Sequence, residues 1–241
     1  MSREEKIKEI CEVYAKARER AKQGERTTSV DEMTGVQALE RKEPDKPMQP
    51  ASPELPKGRV LYREFEYIRH GTLSFFINFD VATGKAIYPS YGETRNEADM
   101  AAHIQKLIAS DPDATKWHII CDNLNTHQSE TLVRLIAQME GIREDSLGVK
   151  EKFGILKSMK TRAEFLHDSS HKIVFYYTPK HGSWMNQVEI FLSILVRKIL
   201  KRGNFSSVKD LQDQVLKFLE YYNQTMAKPI KWSYTGIKEA A

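Results

Sequence analysis

Three acidic residues, Asp31, Asp122 and Glu189, stand at places where a shared cation could reach them. Cutting a phosphodiester without a covalent enzyme intermediate requires an activated water and a stabilised leaving oxygen. Two divalent ions roughly 4 Å apart supply both. Mg2+ takes oxygen ligands and keeps several waters, so two or three carboxylates suffice to hold it. Asp122 ends the apolar run Trp117 to Cys121, and ligands gather at the carboxyl ends of parallel strands. An Asp at a strand end also serves as a turn former or helix cap. Asp31 closes the run Thr27 to Val30 and is followed by Glu32. Neighbouring side chains on a strand leave opposite faces, so only one of these two acids is expected to face a given ion. Glu189 lies between Met185 and Leu192, at the border of the apolar stripe Val188, Phe191, Leu195 and Ile199. A carboxylate there needs a cation or donors to offset lost hydration, and a lysine would serve as well as a metal.

Other chemistries are poorly supported. His118 and Cys121 are three apart on one strand and face opposite sides, and the Cys and His spacings match no zinc site. The chain carries no Gly-rich phosphate loop of the Walker kind. His181 lies near Ser183, but no strained nucleophile elbow surrounds them.

The elements that must position the three acids are legible in outline. Residues 3–22 show helical spacing through Ile7, Ile10, Tyr14 and Ala17, and Gly24 ends the helix. A short strand follows over 27–31. Prolines 44, 47, 50, 53 and 56 fall at every third position. Polyproline II has the same period, so residues 43–58 are expected to form a stiff extended rod. Residues 72–92 read as a hairpin turning at Thr83-Gly84-Lys85. A helix over 95–109, a strand over 117–121, a helix over 128–140 and a strand over 172–178 come next. The polar stretch 141–170 reads as a surface insertion. Helices over 184–201 and 206–224 close the chain, the first broken by Gly203 and the second capped by Ser206 or Ser207. A hairpin followed by alternating helices and strands predicts an α/β chain, a mixed sheet with helices on its faces.

The bulk properties agree with a folded protein. The chain has 241 residues, 40% hydrophobic and 29% charged, enough for one core without disulfides. The net charge of +4 permits nucleic-acid binding without requiring it. Two distant cysteines, a charged start and no apolar run of membrane-spanning length predict a cytoplasmic protein with no membrane partner. Lys180, Arg197, Lys198, Lys201 and Arg202 cluster around the Glu189 helix. They are expected to give weak, sequence-independent DNA binding.

Taken together, several blocks resemble the DDE transposases of the mariner superfamily, in particular its bacterial insertion-sequence branch, the family numbered six-thirty. The blocks are Ser29-Val30-Asp31-Glu32-Met33-Thr34-Gly35, Tyr67-Ile68-Arg69-His70-Gly71-Thr72, Asp80-Val81-Ala82-Thr83-Gly84, Cys121-Asp122-Asn123 with His127, and Thr178-Pro179 through His181-Gly182-Ser183-Trp184 to Asn186 and Glu189. Arg202-Gly203 with Phe205 and Tyr222-Asn223 follow in the same order. The resemblance implies a ribonuclease H-like mixed sheet flanked by helices, with an N-terminal helix and a C-terminal helical extension. Residues 1–24 would be the N-terminal helix or a linker, and 25–241 the catalytic domain. It also implies a metal triad of Asp31, Asp122 and Glu189 holding two Mg2+ or Mn2+ ions. The implied chemistry is cleavage of double-stranded DNA at transposon ends and transfer into target DNA, by a homodimer on DNA. His127, Lys180, His181 and Trp184 would lie beside the site and contact DNA. Members of that family carry helix-turn-helix modules ahead of the catalytic domain, for which the stretch before Asp31 is too short. A truncated, non-enzymatic DNA-binding or dimerising remnant is therefore the alternative expectation.

Overall fold

The computed structural model describes residues 2–62 and 65–235. Its elements run α1 (Arg3–Lys22), β1 (Glu25–Arg41), β2 (Tyr67–Asp80), β3 (Ala86–Gly92), α2 (Glu97–Ala109), β4 (Lys116–Cys121), α3 (Glu130–Met139), α4 (Met159–Leu166), β5 (Ile173–Tyr177), α5 (Val188–Leu195) and α6 (Val208–Thr225). The strands form one mixed sheet in the order β3-β2-β1-β4-β5. β1 is central, antiparallel to β2 and parallel to β4, and β4 is parallel to β5.

Strand alternation builds the two faces. Val30, Ile119, Cys121 and Phe175 point to one face and pack under α2, α3 and α4. Ile77 and Phe79 point to the other, under α5 and α6, while Ile120 and Val174 meet α1. Ile119 and Ile120 are both fully buried, as a parallel strand covered on both faces requires. α1 is part of this fold: Ile10 and Tyr14 lie in the core, and the Tyr14 ring packs on Trp232.

Three segments differ from expectation. The short strand at 27–31 is the first third of a much longer β1. Register shifts between Met33 and Val36 and between Gln37 and Leu39, with Gly35 in the left-handed region, break the alternation that would have marked it. Residues 141–170 are not a surface excursion, because Leu147, Leu156 and Leu166 are buried in the core beneath β4 and β5. The polar sequence hid these few apolar anchors. The proline stretch is no isolated rod. Lys46 N donates to Tyr62 O, Gln49 N to Arg59 O and Ser52 N to Leu55 O. The residues before Pro47, Pro50, Pro53 and Pro56 supply the donors that the prolines lack, and a proline period of three still presents one pairing edge. The result is an irregular hairpin arm that prolongs β1 and β2, exposing Met48 at 74% and Phe65 at 82%.

The last helix of the site is interrupted. Residues 183–185 form a 3-10 turn, α5 starts at Val188, and Val196–Leu200 continue it as a π turn. α6 is capped by Ser207, whose Oγ accepts from Asp210 N at 3.0 Å.

Candidate metal centre

Asp31 and Asp122 meet at the carboxyl end of the parallel pair β1 and β4. The paired positions end at Ser29 with Ile120. Two more residues along each chain bring Asp31 beside Asp122 on the same face, the face covered by α5. Glu189 enters from the first turn of α5. Its carboxyl lies within electrostatic reach of Asp122 and Asp31.

The electrostatics follow from that crowding. Burial, then the Asp122 charge, pushes the Asp31 carboxyl up to about 7. Burial, then the same Asp122 charge, also raises Glu189. Asp122 behaves in the opposite way. Burial would raise it, but the hydrogen bond and charge of His127 outweigh burial and hold it below the usual carboxylate range. Burial in turn opposes the His127 imidazolium, but hydrogen bonds to Asp122, Cys121 and Glu32 carry its pKa well above the ordinary value.

A buried polar clamp aims α5 at β1. Asn186 Nδ2 donates to Val30 O at 3.1 Å and to Asp31 Oδ2 at 3.2 Å. Ser29 Oγ donates to Asn186 Oδ1 and accepts from Val188 N at 2.8 Å. Tyr14 Oη donates to Met185 O at 2.7 Å and accepts from Gln187 N at 3.2 Å, so α1 helps fix the start of α5. Sequence reasoning assigned these residues no role. Part of the signal was present in spacing: Ser29 and Asp31 are two apart on a strand and share a face.

Glu32 corrects another expectation. Its side chain does reach the site: donor atoms of Asp31, Glu32 and His127 all lie within 4.8 Å of one another. β4 stops at Cys121, so side chains rather than a strand fill the space beside Asp31 and Glu32. The two faces are open to each other there. His127 corrects a third. It is fully buried, with its ring nitrogens on Glu32 and Asp122, and cannot touch DNA.

The other expected DNA contacts are accessible. Lys180, His181, Trp184, Arg197, Lys198, Lys201 and Arg202 are all exposed, Trp184 at 50%. Lys180 and His181 line an open cleft of about 350 Å³ beside Asp122, built from residues 178–183 and 122–124. Gly182 closes that loop, with its N–H on Pro179 O at 2.8 Å, where a Cβ would lie 2.6 Å from Pro179 Cγ. Arg197 begins eight residues beyond Glu189, about 12 Å along the helix axis. The four residues from Arg197 to Arg202 therefore stand away from the carboxylates rather than around them.

The donor set suits a hard divalent cation. Three carboxylates of different elements converge, two of them raised in pKa by burial and then by the Asp122 charge. In the absence of a cation, protons must relieve the repulsion.

The family model described as DDE superfamily endonuclease matches residues 45–212, well over half of the chain. The chain belongs to the DDE superfamily endonuclease family. The matched span takes in Asp122 and Glu189 and begins after Asp31. A crystal structure of the Mos1 mariner paired end complex with Mn aligns with 92% of this chain at 12% identity and a TM-score of 0.51. This DDE chain spans only 56% of that one. A crystal structure of the catalytic domain of Mos1 mariner transposase aligns over 90% of this chain and 81% of its own, at 12% identity and a TM-score of 0.49. No curated protein matches the sequence. The sheet order and the helices on both faces are those of the ribonuclease H-like fold.

Proposed function

We propose that this DDE-family chain is the catalytic core of a mariner-like transposase of the bacterial insertion-sequence branch. It would cut double-stranded DNA at transposon ends and join them to target DNA. The observation that carries the reading is the meeting of Asp31, Asp122 and Glu189 at one sheet end, where burial, and then the Asp122 charge, raises the other two. These three residues would hold two Mg2+ or Mn2+ ions. When bound, such ions supply Lewis acidity to the phosphate and an acidified water.

The chain's own groups set the stage for that chemistry. Asn186 and Glu32 N hold the Asp31 carboxylate by hydrogen bonds of 3.2 and 2.9 Å. Lys180 places positive charge, and His181 a hydrogen-bonding imidazole, in the cleft beside Asp122, where a scissile phosphate would sit. In the first step a water oxygen bonds to phosphorus and the 3′ oxygen leaves as a 3′-hydroxyl. In the second, a 3′-hydroxyl bonds to a target phosphorus and a target 3′ oxygen leaves. Bond count is conserved, so the exchange needs no external energy source. The proposed partners are transposon-end and target DNA and a second copy of the chain. The proposed location is the cytoplasm, at the nucleoid. No helix among the described residues is long and apolar enough to cross a membrane.

Supercoiled plasmid with Mn2+ tests the reading. Nicking by the wild type and none by Asp122→Asn or Glu189→Gln is the expected result. Equal nicking by all three would sink it.

A further inference from the structure

The carboxylate of Asp122 is held at one oxygen only. Oδ1 accepts from Leu124 N at 2.9 Å and lies 2.7 Å from His127 Nδ1. Among the described residues both contacts fall on that atom. The imidazole that holds Oδ1 is itself fixed. His127 Nε2 lies 2.9 Å from Glu32 Oε2, and both side chains are almost wholly buried, at 0% and 3% exposed. The short turn carrying His127 is pinned from behind. Tyr177 Oη donates to His127 O at 3.0 Å, and Arg162 Nε donates to Gln128 O at 2.6 Å.

We propose that Glu32 and His127 form a positioning bridge that sets the separation and orientation of the two aspartates. The bridge rests on the metal-centre reading above and assigns it a support that touches neither DNA nor cation. Its path is closed: Asp31 and Glu32 are adjacent in the chain, Glu32 bonds His127, and His127 bonds Asp122. A change at any link alters the distance between the first two ligands. A carboxylate–histidine pair behind a metal ligand is a known way to fix such a ligand, and losing one costs about 10–100-fold in metal affinity or activity.

The competing arrangement is that Asp31, Glu32 and His127 themselves ligate an ion, since their donor atoms lie within 4.8 Å. It would require His127 to release a carboxylate. Pulsed EPR of Mn2+ added to the full wild-type chain separates the two. The bridge predicts no directly coordinated imidazole nitrogen in the 14N coupling, and a ligated 14N signal overturns it. This measurement needs no variant, so a misfolded mutant cannot shield the idea.

Mn2+ titration by EPR on variants adds the second readout. Glu32→Ala and His127→Ala are expected to weaken Mn2+ binding by about 10–100-fold. Glu32→Gln should retain most of it, because an amide oxygen still accepts from Nε2. In nicking assays kcat should fall for Glu32→Ala while KM for DNA stays unchanged. Wild-type Mn2+ affinity in a folded Glu32→Ala protein overturns the bridge. Asp122→Asn is the control. If it also binds Mn2+ normally, the metal-centre reading itself fails. If it loses Mn2+ while Glu32→Ala does not, only the bridge fails.

Discussion

Asp31 and Asp122 are neighbours because β1 and β4 run parallel in a register that pairs Ser29 with Ile120. The pairing ends there, and Asp31 and Asp122 each lie two residues past that last pair, so they arrive side by side on one face. Sliding either strand by one residue would send one aspartate to the opposite face. The site therefore depends on the sheet register before it depends on any loop.

That neighbourhood predicts a pH dependence. The Asp31 carboxyl, pushed up to about 7 by burial and then by Asp122, sits far above the unfolded value of about 3.9. The folded, metal-free state then binds the proton more tightly than the unfolded state. The resulting stability is full below about 3.9 and is lost as pH rises through about 7. A cation competes for the same carboxylate, so Mn2+ affinity should rise across that interval. Asp31→Asn should raise the metal-free Tm at about pH 8 and abolish the Mn2+-induced increase. Thermal melts at several pH values check both, and identical pH slopes in wild type and variant would contradict the assignment.

Asn186→Ala should cost stability and metal affinity together. It removes hydrogen bonds to Val30 O and Asp31 Oδ2 and the acceptor of the Ser29 hydroxyl, all buried. Leaving such groups unpaired costs about 1–3 kcal/mol. Urea denaturation and a Mn2+ titration measure the two effects. A loss of stability with unchanged Mn2+ binding would show that the clamp does not aim Asp31.

DNA binding by the exposed cations should follow salt. If Lys198, Lys201 and Arg202 contact phosphates, replacing any one by Gln should lower the salt slope by about 0.9. The loss should be the same for unrelated sequences. Anisotropy titrations at several salt concentrations read this directly, and an unchanged slope would place DNA elsewhere.

The hairpin arm should be dispensable for folding. Met48 and Phe65 are largely exposed, and Lys46, Gln49 and Ser52 pair with Tyr62, Arg59 and Leu55 of the same arm. Replacing residues 44–62 with a short Gly-Ser linker is expected to leave Tm unchanged and weaken dimer assembly on DNA. Sedimentation of the DNA complex tests it. An unaltered profile would rule out an assembly role, and a collapsed Tm would show that the arm supports the domain.

Period alone determined most of the fold. The runs at 117–121 and 172–178 and the stripes of α2, α3, α5 and α6 are set by spacing, because burial on one face leaves a repeat of two or about 3.6. Element ends also marked Asp31 and Asp122, and the edge of an apolar stripe marked Glu189, as candidates. What the sequence could not fix was anything depending on two distant segments at once. The length of β1 was hidden because its bulges and Gly35 break the repeat. The pairing of Lys46, Gln49 and Ser52, each before a proline, depends on the returning chain at 55–62. Glu32 reads as pointing away from the face of Asp31, and His127 as a DNA contact, until β4 is seen to stop at Cys121. Only then does a gap open beside β1, and only the packed turn at 125–128 brings the imidazole into it. A side chain's face follows from local geometry, but its partner follows from where the neighbouring strand ends, and tertiary packing alone decides that.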